Sequence, residues 1–147
     1  WNYRKQIRCK NINLVWGNHD HRPKLASCGF NEAHDLVQVR VNRQKIVLCH
    51  YAMLTWENSG KGCWQLYGHS HMNLEPWAEK FMPGRKSLDV GVDNALVLLG
   101  AMRPFSFDEL YDLLNDRKGF AADHHHDTGS WEAYRKKVGP GKSLSDA

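Results

Sequence analysis

The stretch Lys45–His71, KIVLCHYAMLTWENSGKGCWQLYGHSH, decides the reading of this chain. Its first five residues, Lys45–Cys49, form an apolar run with strand character, and His50 follows at once. A loop containing Asn58-Ser59-Gly60-Lys61-Gly62 leads to a second short strand, Trp64–Tyr67, which runs into Gly68-His69-Ser70-His71. Immediately upstream, Leu36–Val41 alternates apolar and polar residues, and Asn42-Arg43-Gln44 makes a short turn, so 36–49 is expected to be a hairpin. Further upstream, Ile12–Trp16 (INLVW) reads as a buried strand ending at Gly17, followed by the turn-forming GNHDHRP and a mixed stretch with room for a short helix before Glu32. Downstream, Leu88–Val92 and Ala95–Leu99 read as two more strands separated by Asp93-Asn94. After Pro104 the period changes. Ser106-Phe107-Asp108-Glu109 has the form of a capping box, Phe107, Leu110, Tyr111 and Leu114 recur at helical spacing, and Gly119 offers a stop.

The expected class is α/β and strand-rich, with residues 1–119 as the folded unit and 120–147 as a polar tail whose last residues, GPGKSLSDA, fray. The chain has 147 residues, 41% of them apolar and 24% charged, which is globular composition. Its formal charge of +4 is local: Arg4, Lys5, Arg8 and Lys10 precede the first acid, and the remainder sums to zero. That distribution argues for a solvated basic helix end over a broad nucleic-acid face. No apolar run approaches the ~20 residues of a membrane span. The first residues, WNYRKQIRCK, lack the character of a secretory signal, and with no initial Met the natural N-terminus is expected upstream. Cys9, Cys28, Cys49 and Cys63 are scattered without a CxxC pair, as expected of reduced thiols in a cytoplasmic protein.

Three polar clusters each follow an expected strand: Gly17-Asn18-His19-Asp20, His50, and Gly68-His69-Ser70-His71. Strand ends are where α/β scaffolds present ligands and catalytic groups. Imidazole suits borderline divalent metals, and a carboxamide oxygen adds a hard neutral donor. In an extended segment, side chains at i and i+2 share a side, so His69 and His71 are expected to face one site together or to touch two adjacent ions. Either cluster alone is a modest signal. All three in this order point to a metal site.

In that order, GNHD, LCHY and YGHSH resemble the last three signature blocks of the calcineurin-like metallophosphoesterases, at separations that suit the small bacterial and phage members. The segment 45–71 is similar to theirs throughout, and LDVGVDNALVLLGAMRPFSFDEL looks like their closing strands and final helix, so the likeness covers about residues 7–113. The resemblance implies a partial metallophosphoesterase sandwich, mixed β-sheets flanked by helices, with the N-terminal strands and helices missing. It implies two divalent ions (Mn, Fe, Zn or Ni, with Mn expected to serve in vitro) and a phosphoester substrate, a nucleotide or nucleic acid among the candidates. By motif position, Asn18, His50 and His69 would hold one ion and His71 would be a ligand of the other. His19 would lie beside the phosphate and donate a proton or hydrogen bond to its leaving oxygen, and Asp20 would orient His19.

One departure is large. The family's D-x-H and G-D-x-x-D blocks precede GNHD, yet the residues before Gly17 contain no Asp. The string Asp123-His124-His125 follows no strand and is read as part of an adventitious His124–His126 metal binder. The first-metal carboxylates are therefore not in this chain, and its activity alone is doubtful. Two other readings remain: a non-catalytic zinc module drawing on Cys49, His50, Cys63, His69 and His71, and a degenerate binding scaffold. Trp56, Trp64 and Trp77 are read as packing residues, and Arg103 as part of a solvated turn.

Overall fold

Asn42 and Arg43 both have left-handed backbones (φ 46° and 70°), which closes a two-residue turn whose twist matches that of the strands it joins. The structure, a computed structural model, describes residues 2–120 and Lys136, so the tail expectations, including His124–His126, lie outside the described residues. In chain order it contains α1 (Asn2–Gln6), β1 (Leu14–Val15), α2 (Arg22–Ala26), β2 (Ala33–His34), β3 (Leu36–Val41), β4 (Gln44–Cys49), β5 (Trp64–Tyr67), α3 (Glu75–Phe81), β6 (Ser87–Asp89), α4 (Val92–Leu99) and α5 (Phe107–Leu114). A single 3-10 turn, Ser59–Lys61, precedes β5. The fold is mixed α/β, with two sheets flanked by helices.

The larger sheet has the order β3-β4-β5-β6, and the smaller pairs β1 with β2. β3 and β4 are antiparallel, whereas β4, β5 and β6 run parallel, as do β1 and β2. Alternation divides the larger sheet into two faces. On one, Ile46, Trp64, Leu66 and Leu88 meet Leu110 and Leu114 of α5 in the main core. Each such side chain contributes roughly 1.5–3 kcal/mol by leaving water. On the other face Val47, Trp56 and Cys63 form a smaller cluster beneath the loop that follows His50. Gln65, fully buried on that face, accepts from Ser87 Oγ (2.5 Å) and donates to the Tyr51 carbonyl (3.3 Å), which fastens the loop to the sheet.

One expectation needs correction. Ala95–Leu99 is not a strand: Val92–Leu99 forms α4, entered at Gly91 and closed at Gly100 in the left-handed region (φ 72°). Ala95–Leu99 is apolar at every position, so its strand and helix periods coincide, and only Asn94 and Ala95 of α4 are buried. Arg103 is an exposed bend residue, as expected, and its guanidinium also pairs with Glu109 at the start of α5. The capping box there is formed as expected. Trp56 and Trp64 are buried, but Trp77 is half exposed and leans on Phe81. All four cysteines are unpaired. Among the described residues, no helix is long and apolar enough to cross a membrane.

Candidate functional site

Because β4 and β5 are parallel, the residues that follow them emerge at the same edge of the sheet. The His50 carbonyl accepts from both Gly68 N–H (3.1 Å) and His69 N–H (3.0 Å), so the two strand ends are joined where the imidazoles begin. The segment after β1 closes on itself: Asp20 Oδ2 accepts from Gly17 N–H (2.7 Å), and Asp20 N–H donates to the Gly17 carbonyl (3.2 Å). This turn sits against His50. A Cβ on Gly17 would lie 3.2 Å from His50 Cε1, so glycine is what lets the GNHD turn approach the imidazole.

Three neutral donor atoms converge there. Asn18 Oδ1 is 2.7 Å from His50 Nε2 and 3.2 Å from His69 Nδ1, and the two ring nitrogens are 3.1 Å apart. Adjacent ligands of an octahedral ion with bonds of about 2.1 Å are about 3.0 Å apart, and those of a tetrahedral ion about 3.4 Å. The triangle fits the octahedral case. With one ring nitrogen protonated and the other bare the three atoms can hydrogen-bond to one another, and with both bare their lone pairs converge on a point that suits a shared cation. The His50 and His69 rings meet edge to face at 5.0 Å, with Tyr51 4.6 Å from His69. Burial, followed by the neighbouring His69, holds the His50 imidazole below its ordinary pKa and favours the neutral, ligating form. Beside His50 lies an apolar cleft of about 290 Å³, lined by Val15, Leu48, Leu66 and Val90.

His71 lies within electrostatic reach of His50 and takes a partner of its own. Its Nδ1 bonds to Asp93 Oδ2 (2.7 Å), and its backbone is left-handed (φ 46°), as is that of Met72 (φ 63°). The segment is therefore curled, and the i, i+2 rule for extended chain does not apply to His69 and His71. The cause of the curl is Asp89, a residue the sequence reading did not single out. Its Oδ2 accepts from Ser70 Oγ (2.7 Å) and Met72 N–H (3.0 Å), and its Oδ1 from Gly91 N–H (2.8 Å). A Cβ on Gly91 would come within 2.9 Å of that Oδ1. The only sequence signal for this role is an Asp followed shortly by a Gly at the end of an apolar strand.

Asp20 is engaged by Gly17, not by His19, and His19 stands exposed in the same turn. Both lie within electrostatic reach of His50. Among the described residues, no three His, Cys, Asp or Glu side chains are grouped to hold an ion. The convergent set is two imidazoles and a carboxamide, without a carboxylate. The Cys/His zinc set does not assemble. Cys63 precedes β5 and His69 follows it, so the strand separates them, and Cys63 is buried against Trp56. Comparison with family models, curated proteins and solved structures returns no match.

Proposed function

We propose that the chain is the ligand-rich part of a metal-dependent phosphoester hydrolase. The observation that supports this reading is the triangle of Asn18 Oδ1, His50 Nε2 and His69 Nδ1, three donors from three separate strand ends at the spacing of cis ligands. The resemblance of GNHD, LCHY and YGHSH to the metallophosphoesterase blocks supplies the reaction class. Bound divalent ions would polarise the phosphoryl group and acidify water.

The chain's own residues have distinct tasks in this scheme. Asn18, His50 and His69 hold one ion. His19, exposed beside them, donates a proton to the departing oxygen of the substrate. Asp20 keeps the turn that carries His19 closed on Gly17. His71, braced by Asp93, stands ready at the same sheet edge to serve a second ion. Two neutral imidazoles and a carboxamide bring no negative charge to balance two dications, so a carboxylate donor from outside this set is required for the full centre.

The test is hydrolysis of an aryl phosphodiester with Mn²⁺. Residues 1–147 alone should show little or no turnover. If in-frame sequence upstream of Trp1 supplies the D-x-H and G-D-x-x-D blocks, the chain extended by it should turn over, and His69→Ala should abolish that activity. Activity in the longer protein that survives His69→Ala would refute the reading.

A further inference from the structure

At the opposite end of β4 from His50, a second cleft opens beside the hairpin turn. It has a volume of about 310 Å³ and is lined by Arg40, Arg43, Lys45 and Lys61, with the carboxamides of Gln44 and Asn58 between them. Lys45 and His50 are five residues apart on an extended strand, about 16 Å at 3.3 Å per residue, so this cleft is separate from the His50 site.

The four cations are gathered at some cost. Arg40 and Lys45 are direct cross-strand partners, a placement in which like charges repel. Arg43 occupies a left-handed position at the turn (φ 70°). Lys61 is brought in by Gln44, whose Nε2 donates to the Lys45 carbonyl (2.7 Å) and the Gly62 carbonyl (2.9 Å), joining the 3-10 turn to the hairpin. Among the described residues, none of the four side chains makes an ion pair. The neighbouring carboxylate, Glu57, accepts from the Asn58 carboxamide (3.0 Å). Two guanidiniums and two ammoniums thus surround one opening without a direct ion pair, with Glu57 as the neighbouring carboxylate.

We propose that this cleft binds a ligand carrying two or more linked phosphates. One phosphate would leave much of the charge unmet, whereas a chain of phosphates spreads its oxygens across the opening. Guanidiniums accept such oxygens in pairs, and ammoniums meet them as point charges. A free polyphosphate and the backbone of a nucleic-acid strand offer the same chemistry. The net charge of zero over residues 11–147 conceals the site, because its cations come from separated segments.

Calorimetric titrations of the 147-residue chain in EDTA, with tripolyphosphate in one arm and a short oligothymidylate in the other, test this without any metal at His50 or His69. At least one probe should bind, with an affinity that falls as salt rises. Lys45→Gln with Lys61→Gln should weaken it by about tenfold or more. His69→Ala should leave it unchanged. Binding in the first arm alone assigns the site to free polyphosphate, and cation-dependent binding of oligothymidylate assigns it to nucleic acid. Arg40→Gln, which removes the cross-strand repulsion and should melt no lower than the parent, gives an independent variant that must also weaken binding. If neither probe binds, or if these substitutions leave affinity intact, the proposal is wrong. That outcome would not touch the metal reading, since the two sites share no residue.

Discussion

Asp89 holds the His69 loop from beneath, with its carboxylate wholly out of solvent and all its contacts made to Ser70, Met72 and Gly91. Asp89→Asn replaces one acceptor oxygen by a donor, leaving at least one of these groups facing an N–H it cannot use. A loss of about 1–3 kcal/mol is expected from a buried hydrogen bond so disrupted, read by urea unfolding, together with weaker Mn²⁺ binding. Gly17→Ala should separate the two effects. Its Cβ would press on His50 Cε1 at 3.2 Å in an otherwise permitted backbone, so metal affinity should fall with little change in unfolding midpoint. His19→Ala should do neither. In the active, longer protein it should leave bound metal nearly unchanged and slow turnover by about 10²–10⁴, the usual effect of a positioned acid, with a smaller loss for good leaving groups. If His19→Ala loses metal as His69→Ala does, His19 is a ligand and its assigned role is wrong.

At the scale of elements, the hairpin and the last helix each offer a test. Arg43 is a side-chain-bearing residue in a position that favours glycine, so Arg43→Gly should stabilise the β3–β4 hairpin by about 0.5–1 kcal/mol. At the start of α5, the Arg103 guanidinium and then the Ser106 N–H hold the Glu109 carboxyl at about 2, below its ordinary value of 4.5. A carboxyl so lowered contributes its stability above about pH 4.5 and loses it as pH falls through 2. Glu109→Gln should therefore melt below the parent at pH 6 and at nearly the same temperature at pH 2. The capping box was legible because Ser106 and Glu109 stand at a fixed offset before a helical period. α4 was not, because Ala95–Leu99 is apolar at every position and short enough to satisfy either period. β2 is only two residues long, with no pattern to read, and becomes a strand through its parallel pairing with β1.

Across the whole molecule, the site depends on three strand ends meeting at one edge. The positions of Asn18, His50 and His69 after apolar runs were readable in the sequence, but their meeting follows from the parallel pairing of β4 with β5 and the close approach of Gly17. The curl at His71 and its pairing with Asp93 were not readable, since the loop is shaped by Asp89 reaching it from a strand further along the chain. The basic cleft at the far end was hidden for the same reason: only the β3–β4 register sets Arg40 opposite Lys45. The central claim is that Asn18, His50 and His69 share one ion without His71. Pulsed electron paramagnetic resonance on the Mn²⁺-loaded chain counts the imidazole nitrogens bound to the metal. With His124, His125 and His126 replaced by Ala throughout, two are predicted, falling to one in His50→Ala and in His69→Ala and staying at two in His71→Ala. Two bound nitrogens in His50→Ala, or a nitrogen lost in His71→Ala, would contradict it.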